Sequence, residues 1–207
     1  MHVTVIGTEV AQKEFQDKQI PHGVQVYFVN TVEEVELDMH ALFYLNDEAE
    51  LKKDIPKLER IKAPLFINAV SATLQNLPLN STRVNAWPGF LLNKQIEIST
   101  SAENLPAAEN ILKGLHWQYL TVPDIEGMIA PRTIAMIINE AYFALGEEVS
   151  NKEQIDIAMR LGTNYPHGPF EWAEKIGLQK IYDLLKQLSL SDRRYIPAPF
   201  LTKEINQ

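Results

Sequence analysis

Apolar residues follow two rhythms along this chain, and the change falls near Pro123. Before it, short apolar runs alternate with turn residues: Val3 to Ile6, ending at Gly7, then Val24 to Val29, Ala41 to Leu45, and Leu65 to Asn68. Between the last two runs, Leu51, Ile55, Leu58 and Ile61 recur at helical spacing. Continuous apolar strands separated by helices predict a buried, mostly parallel sheet. Lys94 to Ile98 and Gln118 to Val122 read as further strands, with a helix from Asn104 to Gly114 between them.

After Pro123 the spacing is helical. Ile134, Ile137, Ile138, Ala141, Tyr142 and Leu145 form one broad apolar stripe. Ser150 and Glu153 have the spacing of a capping box, which opens a helix that stops at Gly162. Pro169 suits the first position of the next helix, which ends at Gly177. Ile181, Leu184, Leu185 and Leu188 mark another, and the two prolines between Arg193 and Phe200 predict an extended tail. The fold class is therefore α/β followed by all-α, with an α/β domain over residues 1–123 and a helical, bundle-like domain over 124–207.

Composition narrows the functions. Of 207 residues, 45% are hydrophobic, enough for a core without staples. There are no cysteines, which removes disulfides, thiolate metal sites and cysteine nucleophiles and fits a reducing, cytoplasmic setting. No metal site is expected. The first apolar run has no basic flank and reads as a strand rather than a signal peptide, and no run approaches the ~18 apolar residues of a membrane span. A net charge of −8 argues against nucleic acid or an anionic membrane as partner.

Two stretches are more specific. One is Asp124-Ile-Glu-Gly127-Met-Ile-Ala-Pro-Arg132, leading to Asn139-Glu140-Ala141. The other runs from Ile155-Asp156 through Ala158-Met159 and Leu161-Gly162 to Tyr165-Pro-His-Gly168-Pro-Phe-Glu171 and Ile176-Gly177-Leu178. Together with Arg194-Tyr195, Pro197 and Pro199, they resemble the C-terminal helical domain of the 3-hydroxyacyl-CoA dehydrogenases. Taken as residues alone, most of this signature is packing and turn chemistry. The resemblance implies a domain that forms a homodimer and closes a substrate cleft, and an acyl-CoA-type ligand. The first half resembles the family's nucleotide-binding domain more faintly, as a truncated Rossmann-like sheet that is shorter mainly between Val29 and Ala41. Phe66 to Asn68 with Ser71, and Arg83 followed by Lys94 to Glu97, carry that fainter likeness.

A dinucleotide site needs a Gly-x-Gly-x-x-Gly bend between a strand and a helix N-terminus. Here the bend reads Gly7-Thr8-Glu9-Val10-Ala11-Gln12. One glycine remains, Glu9 brings negative charge where a diphosphate would sit, and Val10 is expected to obstruct its approach. Asn30 stands where an acid would hold ribose hydroxyls, and Asp47 and Lys52 match positions near the nicotinamide side. For catalysis the resemblance places Glu97 at the position of the Glu that orients a catalytic His. The His position falls within Asn85 to Gly89, most simply at Pro88, and carries no His. Pro131 replaces an assisting Asn, and Ser71 fits an assisting Ser. His167 is the only histidine inside a family motif. Joint loss of bend, acid, His and Asn favours a homologue with lost or altered NAD-dependent activity and no nicotinamide cofactor. The alternative is an active, NAD-linked dehydrogenase with a rearranged site. An NADP-linked reductase is disfavoured, since no Arg lies near residue 30.

Overall fold

The computed structural model describes all 207 residues, as two compact units, Met1–Met128 and Ile129–Gln207. The first unit holds seven strands: β1 (His2–Gly7), β2 (Gln25–Val29), β3 (Ala41–Leu45), β4 (Leu65–Asn68), β5 (Ser81–Val84), β6 (Gln95–Thr100) and β7 (Gln118–Thr121). They form one sheet in the order β2-β1-β3-β4-β5-β6-β7. Strands β1 to β5 run parallel, β6 runs antiparallel to β5, and β7 is parallel to β6. The chain reverses direction across the sheet at β1 and β3, the point where open α/β sheets place their ligands.

Strand β3 shows why the apolar runs are continuous. All five of its residues are buried. Phe43 joins Val5, Phe66 and Phe15 in one core, while Leu42 and Tyr44 join Leu51, Leu58 and Ile67 in the other. Period-two alternation therefore feeds two apolar layers, one on each face. The first face is covered by α1 (Glu9–Asp17) and α3 (Leu105–Gly114), and the second by α2 (Glu48–Leu58). Phe43 stacks on Phe66 with centroids 4.4 Å apart. Between β2 and β3 there is a single 3₁₀ turn, Val32–Glu34, in place of a longer excursion, and β2 is left as the sheet edge.

The second unit contains α4 (Ala130–Gly146), α5 (Lys152–Thr163), α6 (Pro169–Ile176), α7 (Leu178–Ser189) and α8 (Pro199–Ile205). Asn139, buried in α4, donates from Nδ2 to Ile196 O at 3.0 Å and accepts from Ala198 N at 2.8 Å, which fastens the C-terminal segment to the longest helix.

Three expectations for this unit need correction. Asn151, not Ser150, caps α5, accepting from Gln154 N at 2.9 Å. The helix passes through Gly162 and ends at Asn164, which takes the left-handed turn with φ 55°. The tail is not extended: Arg193–Tyr195 is a 3₁₀ turn, and Pro199 opens α8, where a missing N–H costs nothing. Gly177 ends α6 with φ 101°, as expected of a helix-terminating glycine.

Candidate functional site

The bend after β1 is built to close on itself. Thr8 caps α1, its hydroxyl accepting from Ala11 N at 3.3 Å and its carbonyl from Gln12 N at 2.9 Å. The Gln12 side chain reaches back and donates to Gly7 O at 2.9 Å. Glu9 lies in the first turn, where a carboxylate already complements the helix dipole. One first-turn N–H, that of Ala11, is thus taken by a side chain of the bend, and a carboxylate stands in the same turn. Gly7 has its own structural reason. A Cβ there would lie 3.1 Å from Leu45 Cβ and 3.4 Å from Ala11 Cβ, so β1, β3 and α1 can pack this closely only around glycine. Val10 does not fill the bend, as had been expected. It is 52% exposed.

The other nucleotide-side residues are spread out. Asn30 is exposed at the end of β2, and its backbone N–H donates to Glu34 Oε2 at 3.1 Å. Asp47 precedes α2 as its cap residue, and Lys52 lies exposed one turn further on.

The ends of β3, β4 and β5 carry Asn46, Asn68 and Asn85, and the side chains of Asn68 and Asn85 tie neighbouring segments together. Asn68 Nδ2 donates to Asn46 O at 3.4 Å, and its Oδ1 accepts from Ala86 N at 3.1 Å. Asn85 Nδ2 donates to Glu97 Oε2 at 3.3 Å, and Asn85 N to Glu97 O at 3.1 Å. Within the stretch Asn85 to Gly89, Asn85 is thus hydrogen-bonded to Glu97. Pro88 lies in the next turn, which Glu14 fixes by accepting from Gly89 N at 2.6 Å. An amide at this position carries no lone pair basic enough to take a hydroxyl proton.

Ser71 is engaged by a different acid. Glu48, in the first turn of α2, accepts from Ser71 N at 2.6 Å. Burial pushes the Glu48 carboxyl above the usual carboxylate range, against the pull of its Ser71 hydrogen bonds and of the Lys52 and Arg83 charges. Ser71 follows β4 and Glu97 lies in β6, with β5 between them.

Arg83, on β5, has no exposed surface. Its Nε donates to Ala69 O, its Nη2 to Val70 O and Ile125 O, and its Nη1 to Asp124 at 2.6 Å and to Ile125 O. Asp124 in turn accepts from Leu74 N, and Gly127 N donates to Val70 O. This staple explains why Asp124 to Met128 belong to the first unit. In the sequence Arg83 only marks its segment, since burial of a cation is not visible there.

In the second unit, Pro131 is buried in the first turn of α4. His167 packs edge-on against Trp172, with centroids 4.8 Å apart. The motif around it is held by Asp156, the one buried residue of α5. Its carboxylate accepts from Phe170 N at 2.8 Å and Glu171 N at 3.1 Å, capping α6. Gly168 lies directly on that carboxylate, so any side chain there would collide with Asp156. Glu171 completes the turn, accepting from Gly168 N at 2.9 Å and pairing with Arg160 at 2.7 Å. The signature residues of this turn are thus packing and capping chemistry.

No helix is long and apolar enough to cross a membrane, and no cluster of three or more potential metal ligands is present. The model of the 3-hydroxyacyl-CoA dehydrogenase C-terminal domain matches residues 127–207. The chain is 31% identical over 205 residues to the 3-hydroxyadipyl-CoA dehydrogenase of Escherichia coli K12, covering 95% of this chain and 41% of that protein. It is 30% identical over 175 residues to a 3-hydroxybutyryl-CoA dehydrogenase of Clostridioides difficile, covering 77% of this chain and 62% of the relative. It thus spans less than two thirds of the length of either curated relative. Among solved structures, the (S)-3-hydroxybutyryl-CoA dehydrogenase of Ralstonia eutropha superposes with a TM-score of 0.75 at 17% identity, over 99% of this chain and 93% of that one. The fold, the matched helical domain and the curated relatives agree that the chain belongs to the 3-hydroxyacyl-CoA dehydrogenase family.

Proposed function

We propose that this chain is a 3-hydroxyacyl-CoA dehydrogenase-like protein of acyl-CoA and fatty-acid metabolism whose NAD-dependent activity is lost or altered. It acts as an acyl-CoA-binding or assembly homologue. The observation that carries this reading is the bend after β1. Thr8 takes up a helix N-terminal donor, Gln12 covers the Gly7 carbonyl, and Glu9 supplies negative charge. A dinucleotide diphosphate does not fit that arrangement. The residue bonded to Glu97 supports the same reading, because Asn85 cannot serve as general base.

A homodimer formed through the helical unit belongs to the proposal. Helix α5 presents Ile157 and Leu161 to solvent, 40% and 83% exposed, one turn apart on the same face.

The test is a thermal-shift series with NAD, NADH and acetoacetyl-CoA, followed by NADH absorbance with acetoacetyl-CoA as substrate. Stabilisation by acetoacetyl-CoA alone supports a binding homologue. A shift with NADH together with turnover would establish the active dehydrogenase instead.

A further inference from the structure

The first unit contains a second concave site, at the far end of α1 from the bend. Nine residues of helix put about 13 Å between the two ends at ~1.5 Å per residue. Here the segment after α1 meets the segments leading into β6 and β7 around a cavity of about 580 Å³. Its walls carry Lys18, His22, Lys94 and His116, and no aspartate or glutamate. That is unusual in a chain with a net charge of −8. Lys18 Nζ is not ion-paired. It donates to Leu91 O at 2.7 Å and Asn93 O at 3.0 Å and sits 4.8 Å from the Trp117 ring centroid, which leaves one of its three N–H groups uncommitted. Trp117, also lining the cavity, is 6% exposed, and its indole N–H has no acceptor. A buried donor without a partner is costly, and such groups mark sites where a partner is missing.

We propose that this cavity binds a small phosphate-bearing organic anion, with Lys18 and the Trp117 N–H as inner donors and Lys94, His22 and His116 as donors on the outer rim. Two lysines and two imidazoles without a carboxylate fit a multiply charged oxyanion. The volume exceeds that of inorganic phosphate, and Ile20, Pro21 and Leu92 supply apolar wall for an organic portion. The site is independent of the bend after β1 and of any dehydrogenase activity.

Calorimetry and tryptophan fluorescence would follow titration with inorganic phosphate, pyrophosphate, glucose 6-phosphate, adenosine 5′-monophosphate and malonate. At least one organic phosphate is expected to bind with micromolar to submillimolar Kd and to perturb tryptophan emission. The doubly substituted variant Lys94→Gln/His116→Asn changes two exposed residues. It is expected to weaken binding about tenfold or more, the loss typical of a charge-assisted contact. Trp117→Phe should lose affinity while keeping the ring. Lys186→Gln, in the other unit, should bind as the parent does. Three results would each overturn the proposal: no phosphate binding below 5 mM, binding unchanged in the double variant, or malonate binding as tightly as the organic phosphates.

Discussion

Replacing Arg83 with Met removes the buried guanidinium while keeping most of its length. The magnitude follows from what is left behind. Breaking a buried ion pair by deleting one partner costs about 3–5 kcal/mol. Val70 O still accepts from Gly127 N, and Ile125 O from Met128 N, so only Ala69 O loses its one bond. Asp124 is 31% exposed and keeps the Leu74 N–H, so its charge is partly resolvated. Both facts place the cost near the low end, about 3 kcal/mol. For a unit of 128 residues that is a drop of roughly 10–15 °C in Tm. Urea unfolding followed by tryptophan emission in a Trp172→Phe background reads the first unit alone, since Trp87 and Trp117 both lie there. Hydrogen exchange should show lost protection in peptides covering residues 69–76 and 122–128. A loss below 1 kcal/mol, or unchanged protection in those peptides, would refute the staple.

Three further outcomes are expected. Gly168→Ala drives a methyl into Asp156 and should destabilise the helical unit by about 1–3 kcal/mol, measured by thermal unfolding; an unchanged Tm would show that the turn is not pinned there. Burial raises the Glu48 carboxyl above its ordinary value, so its ionised form is penalised in the fold. That penalty is present above the folded pKa and is relieved as pH falls toward the unfolded value. Glu48→Gln should therefore raise stability at pH 7–8 and converge with the parent near pH 4, and a variant less stable at pH 8 would contradict this. Ile138→Asp should unfold the helical unit, because Ile138 is fully buried within it. Leu161→Asp, on the exposed face of α5, should leave the helical unit folded, with a Tm that no longer rises with protein concentration, and yield a monomer in sedimentation; a persistent dimer would place the interface elsewhere.

What was legible in the sequence depended on whether burial matched polarity. Strands β3 and β4 are apolar, apart from the closing Asn68, because both of their faces are covered. Strand β5 escaped notice because Ser81, Thr82 and Arg83 are buried polar residues, and only the structure shows what partners Thr82 and Arg83. Pro199 read as a breaker, yet at the first turn of α8 it is a starter. The pairing of Asn85 with Glu97 depends on β5 and β6 lying antiparallel, which no local pattern encodes. Gly7 was visible as a remnant glycine, but its packing against Leu45 and Ala11 was not. The helical motif was legible as turn chemistry, and Asp156 supplies the reason its spacing matters: it reaches from α5 to the first amides of α6.

Isothermal titration of the full chain with NADH addresses the central claim most directly. With the helix donor and the strand-end carbonyl of the bend already satisfied from within, NADH should give no saturable heat up to millimolar concentration. Stoichiometric binding with a micromolar Kd would contradict the account, because the diphosphate would then have displaced the Thr8 hydroxyl from the Ala11 N–H and been accepted beside the Glu9 carboxylate.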